Sequence, residues 1–284
     1  MKLTLGIFGD LHAGLDNWKY KRMLVCSMMD FFKSRQIDAV LDLGDRIQEH
    51  SRLEDLKLTS LIRQELTQFK TPVFHLHGNH DTVYAQKSVL NGVLEKQYGY
   101  EIHMFNGFQL VLLDSTDPKP TYISKQQAEW LDSILNKSIS PIVIFSHHPV
   151  CAIDISSHPY FSVHRNEAMI KNWKEIQTNI LNNSHVLGVF QGHLHQVIDF
   201  SISGVYFGVM PSLDTSVDAN FPIGGVAVIE LNLPTNLNIA YFRIKEKEDT
   251  YDFIEASDCK AAKNIIYRTY SPCSLSSLLN FLTW

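Results

Sequence analysis

The chain predicts an α/β protein, helices flanking a mainly parallel or mixed layered sheet. Three observations carry that prediction. Apolar strand-like runs alternate with longer helix-like segments through residue 195. β-rich runs follow one another after it. Five short polar clusters stand at or just past apolar runs: Asp10-Leu11-His12, Gly44-Asp45, Gly78-Asn79-His80-Asp81, His147-His148 and Gly192-His193-Leu194-His195, following LTLGIF, AVLDL, VFHL, IVIF and VLGVF. Ligands of such sheets gather beyond the carboxyl ends of strands, where these clusters lie.

The first run, LTLGIF, is broken at once by Gly9-Asp10, and no small-residue cleavage site follows, so it reads as a first strand rather than an export signal. Helices are expected at about 17–34, 51–69, 82–97, 124–136 and 166–182. The fourth opens on Ser124-x-x-Gln127, a capping-box signature, ahead of Trp130, Leu131 and Leu135, whose helical spacing marks them as core. After 195, VIDFSI, VYFGVM, GVAVIEL and LNIAYFRI are separated by Gly, Pro and Asn turns. They read as consecutive antiparallel strands completing a second sheet packed on the first. Residues 1–245 form the main domain on this basis and 246–284 a C-terminal extension. The charged segment KEKED is expected to be exposed, and SPCSLSSLLNFLTW to be a short docking helix or a loose tail.

At 284 residues, with 45% apolar and 11% aromatic content, the chain can bury a full core. Its net charge of −5 offers no basic excess, so a nucleic-acid partner is not expected. No apolar stretch reaches the ~20 residues of a membrane span. Cys26, Cys151, Cys259 and Cys273 form no C-x-x-C pair and are read as reduced thiols, which points to the cytoplasm. Cys151 stands four residues past His147, but a small apolar filler is the favoured reading.

The clusters offer two carboxylates, an amide oxygen and several imidazoles, and no thiolate. In extended backbone, residues two apart point the same way, so Asp10 with His12, and His193 with His195, can each aim at one site. That donor set suits manganese, iron, zinc or cobalt, and its size suggests two ions.

The ordered set D-x-H, G-D, G-N-H-D, H-H and G-H-x-H resembles the calcineurin-like metallophosphoesterase superfamily, the purple-acid-phosphatase-type enzymes, from Asp10 to His195. The resemblance implies a four-layer α-β-β-α sandwich of two mixed β-sheets, with a dinuclear site at the strand carboxyl ends. By the same resemblance Asp10, His12 and His195 would bind one ion, Asp45 would bridge, and Asn79, His147 and His193 would bind the other, manganese or iron being favoured. His80 would face the substrate with Asp81 orienting its ring. The nucleophile would be a bridging hydroxide attacking in line.

His148 is expected to line the pocket or bond locally, and His75 and His77 to be buried structural histidines. Arg46 is balanced between a phosphate contact and an ion pair with Glu49 or Asp16. Segment 150–166 resembles a substrate-shaping loop, making His158, Tyr160, His164, Arg165 and Asn166 specificity candidates, with His164 and Arg165 foremost. The nearest groups in look are class III cyclic-nucleotide phosphodiesterases and manganese-dependent ADP-ribose/CDP-alcohol diphosphatases. The expected function is therefore hydrolysis of a small phosphodiester or nucleotide. Alternatives are a phosphomonoesterase or nucleotide diphosphatase, a nuclease, or a non-catalytic scaffold, and analogy allows a homodimer.

Overall fold

The computed structural model describes residues 1–256 except 69, 233–235 and 249. The chain runs β1 (Lys2–Phe8), α1 (Trp18–Ser34), β2 (Ala39–Asp42), α2 (Arg52–Thr67), β3 (Val73–His75), α3 (Lys87–Leu94), β4 (Glu101–Phe105) and β5 (Phe108–Leu113). A small pair, β6 (Thr116–Asp117) and β7 (Tyr122–Ile123), precedes α4 (Lys125–Lys137), β8 (Ile142–Ser146), α5 (Trp173–Leu181) and β9 (Val186–Gln191). There follow β10 (Ile198–Ile202), β11 (Val205–Val209), β12 (Gly225–Asn232), β13 (Asn236–Lys247) and β14 (Thr250–Glu255).

Two six-stranded sheets result, in the orders β14-β13-β12-β1-β2-β3 and β10-β11-β9-β8-β5-β4. Both are mixed: β1, β2 and β3 run parallel while β12 is antiparallel to β1, and β5, β8, β9 and β11 run parallel between antiparallel edges. The period-two pattern of the strands makes the layers. Leu110 and Leu112 face inward with Leu3, Leu5, Ile7, Leu41, Phe145 and Phe190. Val111 and Leu113 face outward onto Leu131 of α4 and Ile176 of α5. On the other side Phe8, Val40 and Val228 meet Met28 and Phe32 of α1 and Leu58 and Ile62 of α2. The arrangement is the expected four-layer α-β-β-α sandwich.

Four expectations differ from the structure. The runs after 195 do form antiparallel hairpins, but they divide between the sheets: β10–β11 extends the second, and β12–β13–β14 extends the first beside β1. The crossing segment turns at Gly224, whose φ of +111° and close approach to the Asp214 carbonyl exclude a side chain. The third helix is shorter than expected, because His80–Thr82 forms a separate 3₁₀ turn and Glu95 ends α3 in the left-handed region at φ 56°. The fifth begins at Trp173, leaving Arg165–Glu167 as a 3₁₀ turn in the preceding loop. The expected boundary at 245/246 falls inside β13, and the hairpin continues the sheet to Glu255, with Lys245 to Glu248 exposed as expected of KEKED. The SPCSLSSLLNFLTW stretch, Cys259 and Cys273 lie outside the described residues.

Candidate metal centre

Both sheets present strand carboxyl ends to one edge, so Asp10, Asp45, Asn79, His147 and His193 arrive there on the loops after β1, β2, β3, β8 and β9. The loops are laced together. Asp10 N–H donates to the Gly44 carbonyl at 2.9 Å, His12 N–H to that of Asp45 at 3.1 Å, and Gly192 N–H to that of His147 at 2.9 Å. Gly44, at φ +98°, and Gly78 let the β2 and β3 loops touch: a Cβ on Gly44 would stand 2.4 Å from Gly78 N. Asp10, His12, Asp45, His193 and His195 all adopt positive φ, from 46° to 73°. Asp10 and His12 therefore do not converge by the alternation of extended backbone. A left-handed twist at each residue aims them, a strained conformation characteristic of functional sites.

The donor atoms converge. His12 Nε2 and His195 Nε2 are 3.0 Å apart, and His195 Nε2 is 3.5 Å from Asp10 Oδ1. His147 Nε2 lies 3.2 Å from both Asp45 Oδ2 and Asn79 Oδ1. Second partners fix the rings: His147 Nδ1 donates to the Leu43 carbonyl at 3.0 Å, His195 Nδ1 to that of Thr215 at 3.1 Å, and His193 Nε2 to that of Glu167 at 2.9 Å. This leaves Nε2, Nε2 and Nδ1 respectively for a metal. Four overlapping triads place one ligand atom per residue within 4.8 Å of one another: Asp10/His12/His195, His12/Asp45/His80, Asp10/Asp45/His147 and His147/His148/His193. Two imidazole nitrogens facing each other at 3.0 Å, beside two fully buried carboxylates, suit cations in shared coordination.

Protonation agrees with that fit. Burial would raise the Asp10 and Asp45 carboxyls, but His195 holds the first below its ordinary range and His147 holds the second well below it. Burial pushes His12 down to about 4, and burial with His147 pushes His193 down to about 3, so both rings are neutral at pH 7, the form in which an imidazole can hold a metal. Against burial, Asp45 raises His147 to about 9 and Asp10 raises His195.

A cleft of about 740 Å³ opens over this cluster. His12, Asp45, Asn79, His80, His148, His158, Tyr160, His193 and His195 line it, with Gln48, Glu49, Phe161, Glu167 and Asp214. His158 holds the loop: its Nε2 donates to the Leu194 carbonyl at 2.8 Å, and its Nδ1 accepts from the N–H groups of Tyr160 and Phe161.

Several expected roles do not fit. Asp81 does not touch the His80 ring. It is fully buried and accepts from the backbone N–H groups of Asp45, Arg46 and Gly78 at 2.9 to 3.0 Å, which makes it the clasp of the β2 and β3 loops. The His80 partner is Glu49, whose carboxylate takes the Nδ1 hydrogen bond. Nothing in the motif spacing points to Glu49, because α2 has not begun and the loop alone sets its direction. Arg46 is absent from the cleft and pairs with neither Glu49 nor Asp16. Its guanidinium is fully buried, bonding Asp42 at 2.8 Å, Asp81 at 3.0 Å and the Leu76 carbonyl at 2.6 Å. His164 stacks on the outer side of Tyr160 at 4.3 Å, while Arg165 and Asn166 line a separate groove with Ile153 and Trp173. Cys151 is buried against Gln191 among the apolar residues under α4 and α5, as a filler would be. His75 and His77 are buried on Asp42 and Asn91 as expected.

A family model described as calcineurin-like phosphoesterase matches residues 3–197. The chain is 26% identical over 162 residues to a probable cyclic nucleotide phosphodiesterase of a Pseudoalteromonas species, covering 57% of each. It is 25% identical over 205 residues to another so named from a Synechococcus species, covering 69% of the chain and 74% of that relative. The matches thus span little more than half of the one relative and three quarters of the other. Among solved structures, a dimetal phosphatase from Danio rerio superposes with a TM-score of 0.68 at 16% identity, over 90% of this chain and 99% of that one. Among the described residues no helix is long and apolar enough to cross a membrane.

Proposed function

The chain belongs to the calcineurin-like phosphoesterase family, and from that premise we propose that it hydrolyses a small phosphodiester in the cleft above the clustered donors. The observation that carries the proposal is the convergence of Asp10, His12, Asp45, Asn79, His147, His193 and His195 from five loops onto one rim. In this reading Asp10, His12 and His195 would hold one ion, Asn79, His147 and His193 the other, and Asp45 would be shared. Two ions at such a site supply a water of lowered pKa and neutralise charge on the phosphoryl oxygens. Manganese or iron suits the mixed carboxylate and imidazole set.

The protein's own groups do the rest. Glu49 accepts from Nδ1–H of His80, which leaves Nε2 turned toward the Asp45 side of the site, 3.9 Å from its Oδ2. As an imidazolium, carrying a proton on Nε2 as well as on Nδ1, the ring could stabilise charge on the phosphoryl group or give the Nε2 proton to the leaving oxygen. Asp81 and Arg46 hold the loops that aim it. The cleft also bears on substrate choice: among its described lining residues there is no Lys or Arg, while Glu49, Glu167 and Asp214 are acidic. A second phosphate would meet carboxylates rather than cations, which favours a single diester over a nucleoside diphosphate derivative. The relatives named probable cyclic nucleotide phosphodiesterases are consistent with that choice. Free Cys26 and Cys151 accord with action in the cytoplasm.

The test is turnover of bis-p-nitrophenyl phosphate, p-nitrophenyl phosphate, cyclic AMP and ADP-ribose by protein stripped of metal and reloaded with Mn²⁺. The expected order puts diesters above the monoester and ADP-ribose last, with activity lost in Asn79→Ala and His80→Ala. Absence of turnover on all four by protein carrying two ions would overturn the proposal.

A further inference from the structure

We propose that His148 donates a hydrogen bond from Nε2–H to an oxygen of the reacting phosphoryl group, and that Ser115 locks the ring in the tautomer that allows it. The proposal rests on the phosphoesterase reading above and adds a residue to its machinery.

His148 is fully buried yet lines the cleft, packed edge-on to His147 at 4.8 Å and tilted against His193 at 4.3 Å. Its proximity to those two rings invites a reading as a third imidazole ligand. The hydrogen bonds of Ser115 argue otherwise. Ser115 Oγ lies 2.8 Å from His148 Nδ1 and accepts the His148 backbone N–H at 3.0 Å. Ser115 is itself fully buried, and these two atoms are the partners of its hydroxyl among the described residues. A backbone N–H can only donate, so Nδ1 is the one acceptor among these partners for the buried hydroxyl proton, and only donation to it leaves that proton satisfied. A neutral imidazole that accepts at Nδ1 carries its proton on Nε2. An Nε2–H has no lone pair for a metal; it is a donor. Among the described residues that donor has no protein acceptor.

The pair is held in place from both sides. Gln127 Oε1 accepts from Asp114 N–H at 2.8 Å, and its Nε2 donates to the Asp114 carbonyl at 3.0 Å, which pins the residue before Ser115. Ser146 Oγ donates to the His148 carbonyl at 2.8 Å. A buried donor on the floor of a cleft, fixed in direction, seeks an oxygen acceptor, and one gaining negative charge binds it most strongly. A phosphoryl oxygen seated against His147 and His193 meets that description. Sequence spacing could not find this relation, because Ser115 and His148 belong to separate loops that the pairing of β5 with β8 brings side by side.

The experiment uses the full chain with inorganic phosphate as the probe. Phosphate affinity and bound manganese are measured for wild type, His148→Gln and His148→Asn, and ring ¹⁵N shifts of His148 are read on zinc-loaded wild type and Ser115→Ala. Glutamine places an N–H donor near the Nε2 position, whereas asparagine places one only near Nδ1. The expected results are two ions per chain throughout, phosphate binding about tenfold weaker in His148→Asn and largely restored in His148→Gln. An Nε2–H signature is expected in wild type, with the other tautomer appearing in Ser115→Ala. Loss of one ion in His148→Asn, an Nδ1–H or metal-shifted Nε2 signature in wild type, or unchanged phosphate affinity in His148→Asn would each overturn the proposal. These readouts need no turnover, so wild-type failure on the ester panel would remove the function reading while leaving His148 to be decided separately.

Discussion

Replacing Arg46 by Met separates two readings of a residue that the motif alone cannot resolve. The guanidinium is fully buried, as are both carboxylates it joins, Asp42 and Asp81. Removing it leaves Asp42 with His75 and the Gly44 N–H, and Asp81 with three backbone N–H groups, but neither with a full buried counter-charge. Breaking one side of such a network costs about 3–5 kcal/mol. An unfolding entropy of roughly 2.1 cal/mol/K per residue over 284 residues gives about 0.6 kcal/mol/K. The Tm should therefore fall by about 5–8 °C. Arg46→Lys should fall between, since an ammonium cannot bond two carboxylates and a carbonyl in one plane. Calorimetry of metal-loaded protein reads the shift, and steady-state kinetics on bis-p-nitrophenyl phosphate reads the alternative. An unchanged Tm with a raised KM would refute the ion-pair argument and return Arg46 to the substrate.

Three further outcomes follow from the same structure. Glu49→Gln should lower kcat by about 10–100-fold with bound metal unchanged, because the His80 ring loses the carboxylate that fixes it; equal kcat in variant and wild type would remove Glu49 from the mechanism. Metal uptake should release protons and tighten as pH rises toward 9. His147 is held protonated to about that pH by Asp45, so a cation must displace its proton at any lower pH, and affinity gains up to about tenfold per pH unit for one proton. Calorimetry in buffers of different ionisation enthalpy checks this, and a pH-independent affinity would contradict it. Cys151, buried with its thiol pushed up to about 12 by desolvation, should resist iodoacetamide at neutral pH in folded protein; peptide mapping that finds it labelled before unfolding would place it nearer the surface than it stands.

The polar clusters were legible because each ends an apolar run, and the run fixes both a strand and the rim at which its next residues emerge. Asp10, Asp45, Asn79, His147 and His193 needed no more than that. The partners that aim them were not legible. Glu49, Thr215, Glu167 and Ser115 act through loop geometry, and two of them offer only a backbone carbonyl, which every residue has. Asp81 was misjudged for the same reason. Adjacency to His80 suggested the ring, whereas the 3₁₀ turn of residues 80–82 points its carboxylate back at three backbone N–H groups. The β4–β5 hairpin carries a local signal: Asn106-Gly107, both at positive φ, between alternating apolar residues. The division of the late strands between sheets left no local trace, since an antiparallel hairpin reads alike in either.

The left-handed donors explain why so much of this rim is hydrogen-bonded to itself. Non-glycine residues at positive φ cost about 1 kcal/mol or more each, and five of the clustered residues pay it. Such conformations persist only where their surroundings over-determine them. Here Asp10 N–H is tied to Gly44, His12 N–H to Asp45, Asp45 N–H to Asp81 and His193 N–H to Asp10 itself, so four of the five twisted residues are fixed through their N–H by a neighbouring loop. Asp81 holds the Asp45 end of this network, and Arg46 partly offsets the burial that raises its carboxyl to about 6. A buried salt bridge remote from the substrate thereby governs the direction of donors on three strands. Its loss should disturb metal affinity as well as stability, while substitutions on the exposed outer face of the same loops should disturb neither.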